Sequence, residues 1–370
     1  MKLKIPEYLT RLAPYVPGKP IEELERELGL SGSIKLASNE NPLGPSPRAV
    51  EAALDEAARV HRYPDGSGYY LRQALSVRLG VDADQIILGS GSCELVELIA
   101  RTFLEPSENA VISEGAFIMY RIAVQTANRG LRVVPQKKTY THDTRAMAAA
   151  VDAATRIVFI ANPNNPTGTY VDEEDLRFLL DRVPDDVLVI VDEAYIDYVA
   201  AADYPRTLLW LPSRPNLVLL RTFSKVYGLA GFRIGYALTS PPVAETLGRV
   251  RSPFNTSSIS QAAARAALDD AGHLARSIES NRIEMAFLVD GFKGLGLNPV
   301  PSVANFVFVP IGPEASEIYN KMLHRGVIVR PMTGPWGFPH ALRITVGTHT
   351  ENERCLAALA HALGRPPASM

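Results

Sequence analysis

The stretch NLVLLRTFSKVYGLAGFR, residues 216–233, reads as a strand that runs straight into a turn containing glycines. Its continuous apolar run is the mark of a strand covered on both faces. Gly228 and Gly231 behind it permit tight backbone approach. Between run and glycines stands Lys225. Most lysines only keep a surface wet, but one at the edge of a core is desolvated, gives up its proton more readily and is suited to amine chemistry.

Working outward, four upstream segments have the same character: QIILGS (85–90), NAVISE (109–114), RIVFIA (156–161) and VLVIVDEAY (187–195). Helical stretches such as SCELVELIARTFL (92–104) and DEEDLRFLLDRV (172–183) separate several of them. This alternation predicts a mostly parallel central sheet flanked by helices. Beyond residue 255 the chain turns alanine-rich and helical, and the strands NFVFVP, VIVRP and LRITVG follow, which predicts a smaller α+β domain. We therefore expect an N-terminal arm and short helix over 1–35, a large α/β domain over 36–255 and a small α+β domain over 256–370. The last residues, GRPPASM, are expected to fray.

Composition narrows the function classes. A chain of 370 residues exceeds one ordinary core. Lys plus Arg number 38 against 40 for Asp plus Glu, with no long basic run, so neither a nucleic acid nor a membrane surface is expected as partner. Two cysteines, Cys93 and Cys355, fit a reducing compartment, and the N-terminus lacks the apolar segment of a secretory signal, so the cytoplasm is the expected location. The seven histidines include no metal-spaced pair, and no metal site is expected.

Three further segments carry chemistry. In IILGSGSCELVELIARTFL a strand is followed by Gly89-Ser90-Gly91-Ser92-Cys93 and a helix, so free amides at a helix N-terminus next to small residues form a candidate cradle for one phosphate. It is neither a Walker A loop nor a dinucleotide fingerprint, since no Gly-Lys-Ser/Thr ends it and Glu94 stands where a third glycine belongs. Asp192 follows a buried strand at its carboxyl end, where open α/β sheets bind ligands; an N-cap is the plainer role. Tyr195, three residues on, can reach the same ligand, and the rigid loop IANPNNPTGTY can hold Asn165 as a fixed donor.

Taken in order, these segments resemble the fold type I pyridoxal-phosphate-dependent aminotransferases, in which a Ser-Lys pair, here Ser224-Lys225, is followed eight residues later by arginine, here Arg233. The resemblance implies pyridoxal 5'-phosphate as cofactor and Lys225 as the lysine that bonds to its aldehyde. It implies Asp192 at the pyridine nitrogen, Asn165 and Tyr195 at the phenolic oxygen and Phe117 of EGAFIMY stacked on the ring. Gly91, Ser92, Thr222, Ser224 and Arg233 would hold the phosphate, with Cys93 in the same segment. The resemblance is tightest to the histidinol-phosphate branch of that family, through LAPYVPGKP, KLASNENPLGPSP, RYPDG, GVIVRP and LRITVGT. That branch implies transamination of histidinol phosphate or imidazole-acetol phosphate with glutamate or 2-oxoglutarate. It also implies a homodimer with shared sites in which Tyr63 reaches the neighbouring subunit's cofactor, Tyr15 near the substrate, and Arg330 and Arg343 on the substrate phosphate. Two forked guanidiniums suit a group of roughly two negative charges.

The chain departs from the family pattern at three places. Cys93 stands where aspartate or asparagine is common, Gly115-Ala116 where Pro-Thr precedes the stacking aromatic, and Trp336 and Phe338 follow Arg330. The last two residues can form an apolar pocket, which keeps an aromatic amino-acid aminotransferase open as an alternative. A threonine-phosphate decarboxylase and a non-catalytic regulator on the same fold are further alternatives.

Overall fold

The computed structural model describes residues 3–10, 12 and 14–366. The last four residues of the segment expected to fray, and residues 1, 2, 11 and 13 of the arm, lie outside these. Twelve strands form among the described residues: β1 (Ile34–Lys35), β2 (Ile86–Gly89), β3 (Asn109–Ser113), β4 (Gly130–Val134), β5 (Thr155–Ala161), β6 (Leu188–Asp192), β7 (Leu217–Thr222), β8 (Gly235–Leu238), β9 (Phe306–Pro310), β10 (Val327–Ile328), β11 (Arg330–Pro331) and β12 (Ala341–Thr345). The central sheet has the order β2-β8-β7-β6-β5-β3-β4 and is parallel except for β8, which runs against both its neighbours.

Alternation along these strands decides what each face sees. Val189, Val191, Leu217 and Leu219 point into one core layer. Leu188, Ile190, Val218 and Leu220 point into the other, which also contains Leu95, Ile99 and Tyr120. By the same alternation Asp192 and Thr222 emerge on the side of the helix Gly91–Phe103, and Glu193 and Arg221 on the opposite side. A one-residue slip would exchange them.

The smaller unit joins the antiparallel sheet β11-β12-β9 to three helices around a second core. Its packing differs from the division expected at residues 35 and 255. β1 pairs with β10, so Ile34 and Leu36 belong to the small core. The helix Ser258–Leu268 packs through Ala263, Ala264, Ala267 and Leu268 into the large core, because its alanines let it lie close on the helix Pro47–Ala57. The long helix Ala271–Gly294 links the units, with Leu274 and Ile278 against the large core and Leu288 and Phe292 in the small one. No described helix is long and apolar enough to cross a membrane.

The turn after β7 depends on one of its two glycines. Gly228 has φ +69°, its amide donates to the Lys225 carbonyl at 2.9 Å, and a Cβ there would lie 2.2 Å from the Gly44 carbonyl oxygen. Gly231 has open space around it, so the expected tight approach belongs to Gly228 alone. Gly228→Ala is expected to destabilise the protein by about 2 kcal/mol or more in denaturant unfolding, through left-handed strain and backbone overlap. Gly231→Ala is expected to stay within about 0.5 kcal/mol of the parent.

Candidate active site

The carboxyl ends of β5, β6 and β7 and the N-terminus of the helix Gly91–Phe103 converge on one cavity, the position at which an open α/β sheet takes its ligand. Asn165, Asp192, Tyr195, Thr222, Ser224 and Lys225 line its floor, with Ser92, Cys93, Phe117 and Arg233 beside them. The small unit closes the other side with Arg330 and Arg343, and the arm contributes Tyr15. Of the site residues expected from sequence, only Gly91 and Tyr63 do not line the cavity. Gly91 lies just behind the wall, where an added Cβ would meet the Arg233 guanidinium at 2.6 Å. Tyr63 is 82% exposed and stacks on Phe254 with ring centroids 4.6 Å apart.

Burial governs the protonation states. Asp192 is buried, which pushes its carboxyl up to about 6. The Tyr120 hydroxyl donates to its Oδ2 at 2.9 Å and the Ala194 amide to its Oδ1 at 3.1 Å, and both favour the charged form. Lys225 has no carboxylate within ion-pair distance among the described residues, and its Nζ donates to the Ser38 carbonyl at 3.3 Å. Burial first, and the Arg343 charge second, hold its amine down at about 8. Burial raises the Tyr195 phenol to about 12, and its oxygen accepts a hydrogen bond from Asn39 Nδ2 at 2.9 Å. Burial likewise raises the Cys93 thiol, which therefore stays protonated.

A candidate anion cradle lies at the other end of the floor. Gly91 takes φ +74°, opening the first turn of the helix Gly91–Phe103, and at Gly235 a Cβ would come within 2.9 Å of the Ser92 nitrogen. Only glycine lets β8 approach so closely. The Thr222 hydroxyl donates to Ser224 Oγ at 3.0 Å and accepts from the Ser224 amide at 3.1 Å, which fixes two hydroxyls at the rim. Arg233, at φ +53°, sends Nη1 to the Ala230 carbonyl and has no carboxylate partner among the described residues. Free helix amides, two hydroxyls and an unpaired guanidinium suit a phosphate monoester.

Arg330 and Arg343 are directly opposite each other in the β11–β12 pairing, so the two guanidiniums share one face of the small sheet. Each is nine-tenths or more buried, and neither forms an ion pair among the described residues. Arg330 Nη2 donates to the Val16 carbonyl at 2.6 Å. Arg343 donates to Asn165 Oδ1 and to the Ala37 carbonyl, while its Nε has no partner. Burial, with Arg330 a further contribution, depresses Arg343 to about 10.

Sequence reasoning assigned no role to Tyr120 or Asn39. Both lay in quoted segments, EGAFIMY and KLASNENPLGPSP, but only the folded chain brings them to Asp192 and Tyr195. Asn39 is held with φ 55° by a hydrogen bond from its amide to Thr345 Oγ1 at 2.9 Å and one from Asn305 to its carbonyl at 3.1 Å. Among the described residues no group of three or more His, Cys, Asp or Glu side chains could hold a metal ion.

The sequence model described as aminotransferase class I and II matches residues 31–359. The chain is 51% identical to the histidinol-phosphate aminotransferase 2 of Pseudomonas fluorescens, covering 96% of each chain. It is 48% identical to the histidinol-phosphate aminotransferase of an Anaeromyxobacter species, covering 97% of this chain and 99% of that one. Among solved structures it superposes on the Sinorhizobium meliloti histidinol-phosphate aminotransferase in complex with pyridoxal-5'-phosphate, with a TM-score of 0.90, 30% identity and 98% coverage of both. The chain belongs to the class I and II aminotransferases and has their fold type I architecture.

Proposed function

We infer that this chain is a pyridoxal-phosphate-dependent transaminase of histidinol phosphate and imidazole-acetol phosphate, with glutamate and 2-oxoglutarate as the second pair, in histidine biosynthesis. The observation that carries the reading is the cross-strand pair of buried, carboxylate-free arginines in the same cavity as Lys225 and Asp192. A substrate with one carboxylate would leave one of those charges uncompensated in the interior, whereas a phosphate monoester offsets both. The names of the relatives support the same substrate over an aromatic amino acid. So does Phe338, which packs on Phe308 and Tyr140 and does not line the cavity.

The residues fit the cofactor. The cradle at Gly91, Ser92, Thr222, Ser224 and Arg233 would hold its phosphate, Asp192 its ring nitrogen, Asn165 and Tyr195 its phenolic oxygen and Phe117 one face of its ring. When bound, the cofactor supplies the electron sink that makes removal of a proton beside the amine feasible. Asp192, with its carboxyl at about 6, is mostly charged at neutral pH and would favour a proton on the ring nitrogen it faces. Tyr195, at about 12, stays a phenol, and Asn39 orients it by donating to its oxygen. The Lys225 amine, at about 8 rather than its ordinary value, is neutral in about a tenth of molecules at pH 7, so Nζ can accept the substrate proton and later return it.

A homodimer with shared sites belongs to the same reading. Its support is that Tyr63 is exposed, stacks on Phe254 and does not line its own cavity. A cytoplasmic place is supported by the two unpaired cysteines.

Replacing Arg330 by methionine is expected to lower kcat/KM for histidinol phosphate by about a hundredfold while changing that for phenylalanine less than about threefold, whereas Arg343 also holds Asn165 and lowers the Lys225 amine, so its loss reaches both substrates. Equal losses for both substrates in steady-state kinetics of the Arg330 variant would contradict the phosphate grip. Tyr120→Phe removes a hydrogen bond that stabilises the Asp192 carboxylate, so the Asp192 pKa is expected to rise above about 6. Cofactor binding to the apo-protein, followed by absorbance, should then weaken on the order of tenfold at pH 6.5 and much less at pH 8.5. A loss independent of pH would mean that Tyr120 acts by shape alone.

A further inference from the structure

Two like charges buried side by side without a carboxylate need something to hold them. Each guanidinium has five N–H donors, yet among the described residues Arg330 and Arg343 direct only three side-chain hydrogen bonds to protein, and Arg343 Nε, buried, has no partner. What surrounds them instead is aromatic. The Arg330 guanidinium lies 5.5 Å from the Tyr15 ring and 5.6 Å from the Trp336 ring. That of Arg343 lies 5.4 Å from Phe306 and 5.8 Å from the same Trp336. Among the described residues, Trp336 is thus the one ring shared by both.

We propose that Trp336 is a specificity-determining residue: its indole holds the two guanidiniums at one spacing and leaves their forks open, so that the site accepts a dianionic phosphate monoester and rejects a lone carboxylate. This rests on the phosphate reading of the arginine pair. An indole face attracts cations through its quadrupole but carries no acceptor for the guanidinium forks. It offsets their repulsion without competing for the donors, as an aspartate or glutamate in its place would. With the spacing set beforehand, a three-oxygen dianion meets both forks without rearrangement. A carboxylate, with two oxygens and one charge, leaves one buried arginine unsatisfied.

The position of Trp336 is set by a second departure from the family pattern. The turn from Met332 to Ala341 is closed by hydrogen bonds from the Met332 amide to the Ala341 carbonyl and from the Phe338 amide to the Met332 carbonyl, with Gly337 at φ +81°. The Phe338 ring enters the space left by Gly115, where a Cβ would come within 2.2 Å of it. Gly115 and Phe338 are therefore a matched pair. Together they anchor the turn that presents Trp336, from outside the cavity.

The test titrates the cofactor-loaded enzyme with inorganic phosphate and separately with acetate by calorimetry, in the parent and in Trp336→Phe and Trp336→Leu. Phosphate affinity is expected to fall on the order of tenfold in Trp336→Leu and less than about threefold in Trp336→Phe, with acetate unchanged. Fluorinated tryptophan in a Trp210→Phe background keeps the indole shape and should weaken phosphate binding as its ring quadrupole is reduced. Unchanged or tighter phosphate binding in Trp336→Leu, equal losses in both variants, or no effect of fluorination would overturn the proposal. A parent enzyme that does not prefer phosphate to acetate would overturn the phosphate reading as well, which separates the two failures.

Discussion

Asp192, Lys225, Arg330 and Arg343 would each be more stable in water, and the fold holds all four in one cavity. Removing a charge from solvent costs several kcal/mol unless a partner or hydrogen bonds compensate. None of the four has an oppositely charged partner within ion-pair distance among the described residues. Compensation is partial and of neutral kind: hydroxyl and amide donors for Asp192, a carbonyl for Lys225, carbonyls, an amide oxygen and ring faces for the arginines. The carboxyl is displaced upward and the lysine and Arg343 downward, the direction expected when burial outweighs partners. Such a cavity is prepared for a ligand that brings the missing charges with it.

Holding that arrangement requires firm strand ends, and the sheet supplies them from its other face. Glu193 follows Asp192 and Arg221 precedes Thr222, so alternation sends this second pair away from the cavity. There Arg221 Nε meets Glu193 Oε2 at 2.8 Å, and Thr207 donates to Glu193 Oε1. The pair ties the ends of β6 and β7 together directly behind the two residues that face the ligand. Compensated charge on one face steadies uncompensated charge on the other, and the cost of mispairing β6 with β7 would fall on both faces at once.

The parts of this design that depend on local sequence were legible. Short apolar runs gave five of the seven strands of the central sheet, though not β4 or β8, and Asp192, Asn165 and Lys225 sit at strand ends or in the turns that follow, which can be located along the chain. Long-range contacts were not legible. Tyr120 meets Asp192 across 72 residues and Asn39 meets Tyr195 across 156, and no periodicity encodes either meeting. The two arginines are thirteen apart in sequence, but their cross-strand alignment follows from the length and turn chemistry of the segment between them. Which core each helix joins was hidden for a related reason. An alanine-rich face does not name its partner, and in the fold Ser258–Leu268 lies on Pro47–Ala57 and in the large core.

The departures from the family pattern acquire meaning in pairs and not singly. Gly115 alone reads as a lost proline-threonine step, and Phe338 alone as a pocket-forming aromatic. In the fold the ring of one fills the space vacated by the other, so neither is free to change without its partner. That coupling also explains why an aromatic residue near the site does not imply an aromatic substrate. Phe338 is spent on anchoring a turn, and Trp336, which does reach the cavity, is engaged with two cations before any ligand arrives. The apolar residues of this loop therefore serve the charged end of the cavity, where rings can support two guanidiniums without occupying the place of the anion.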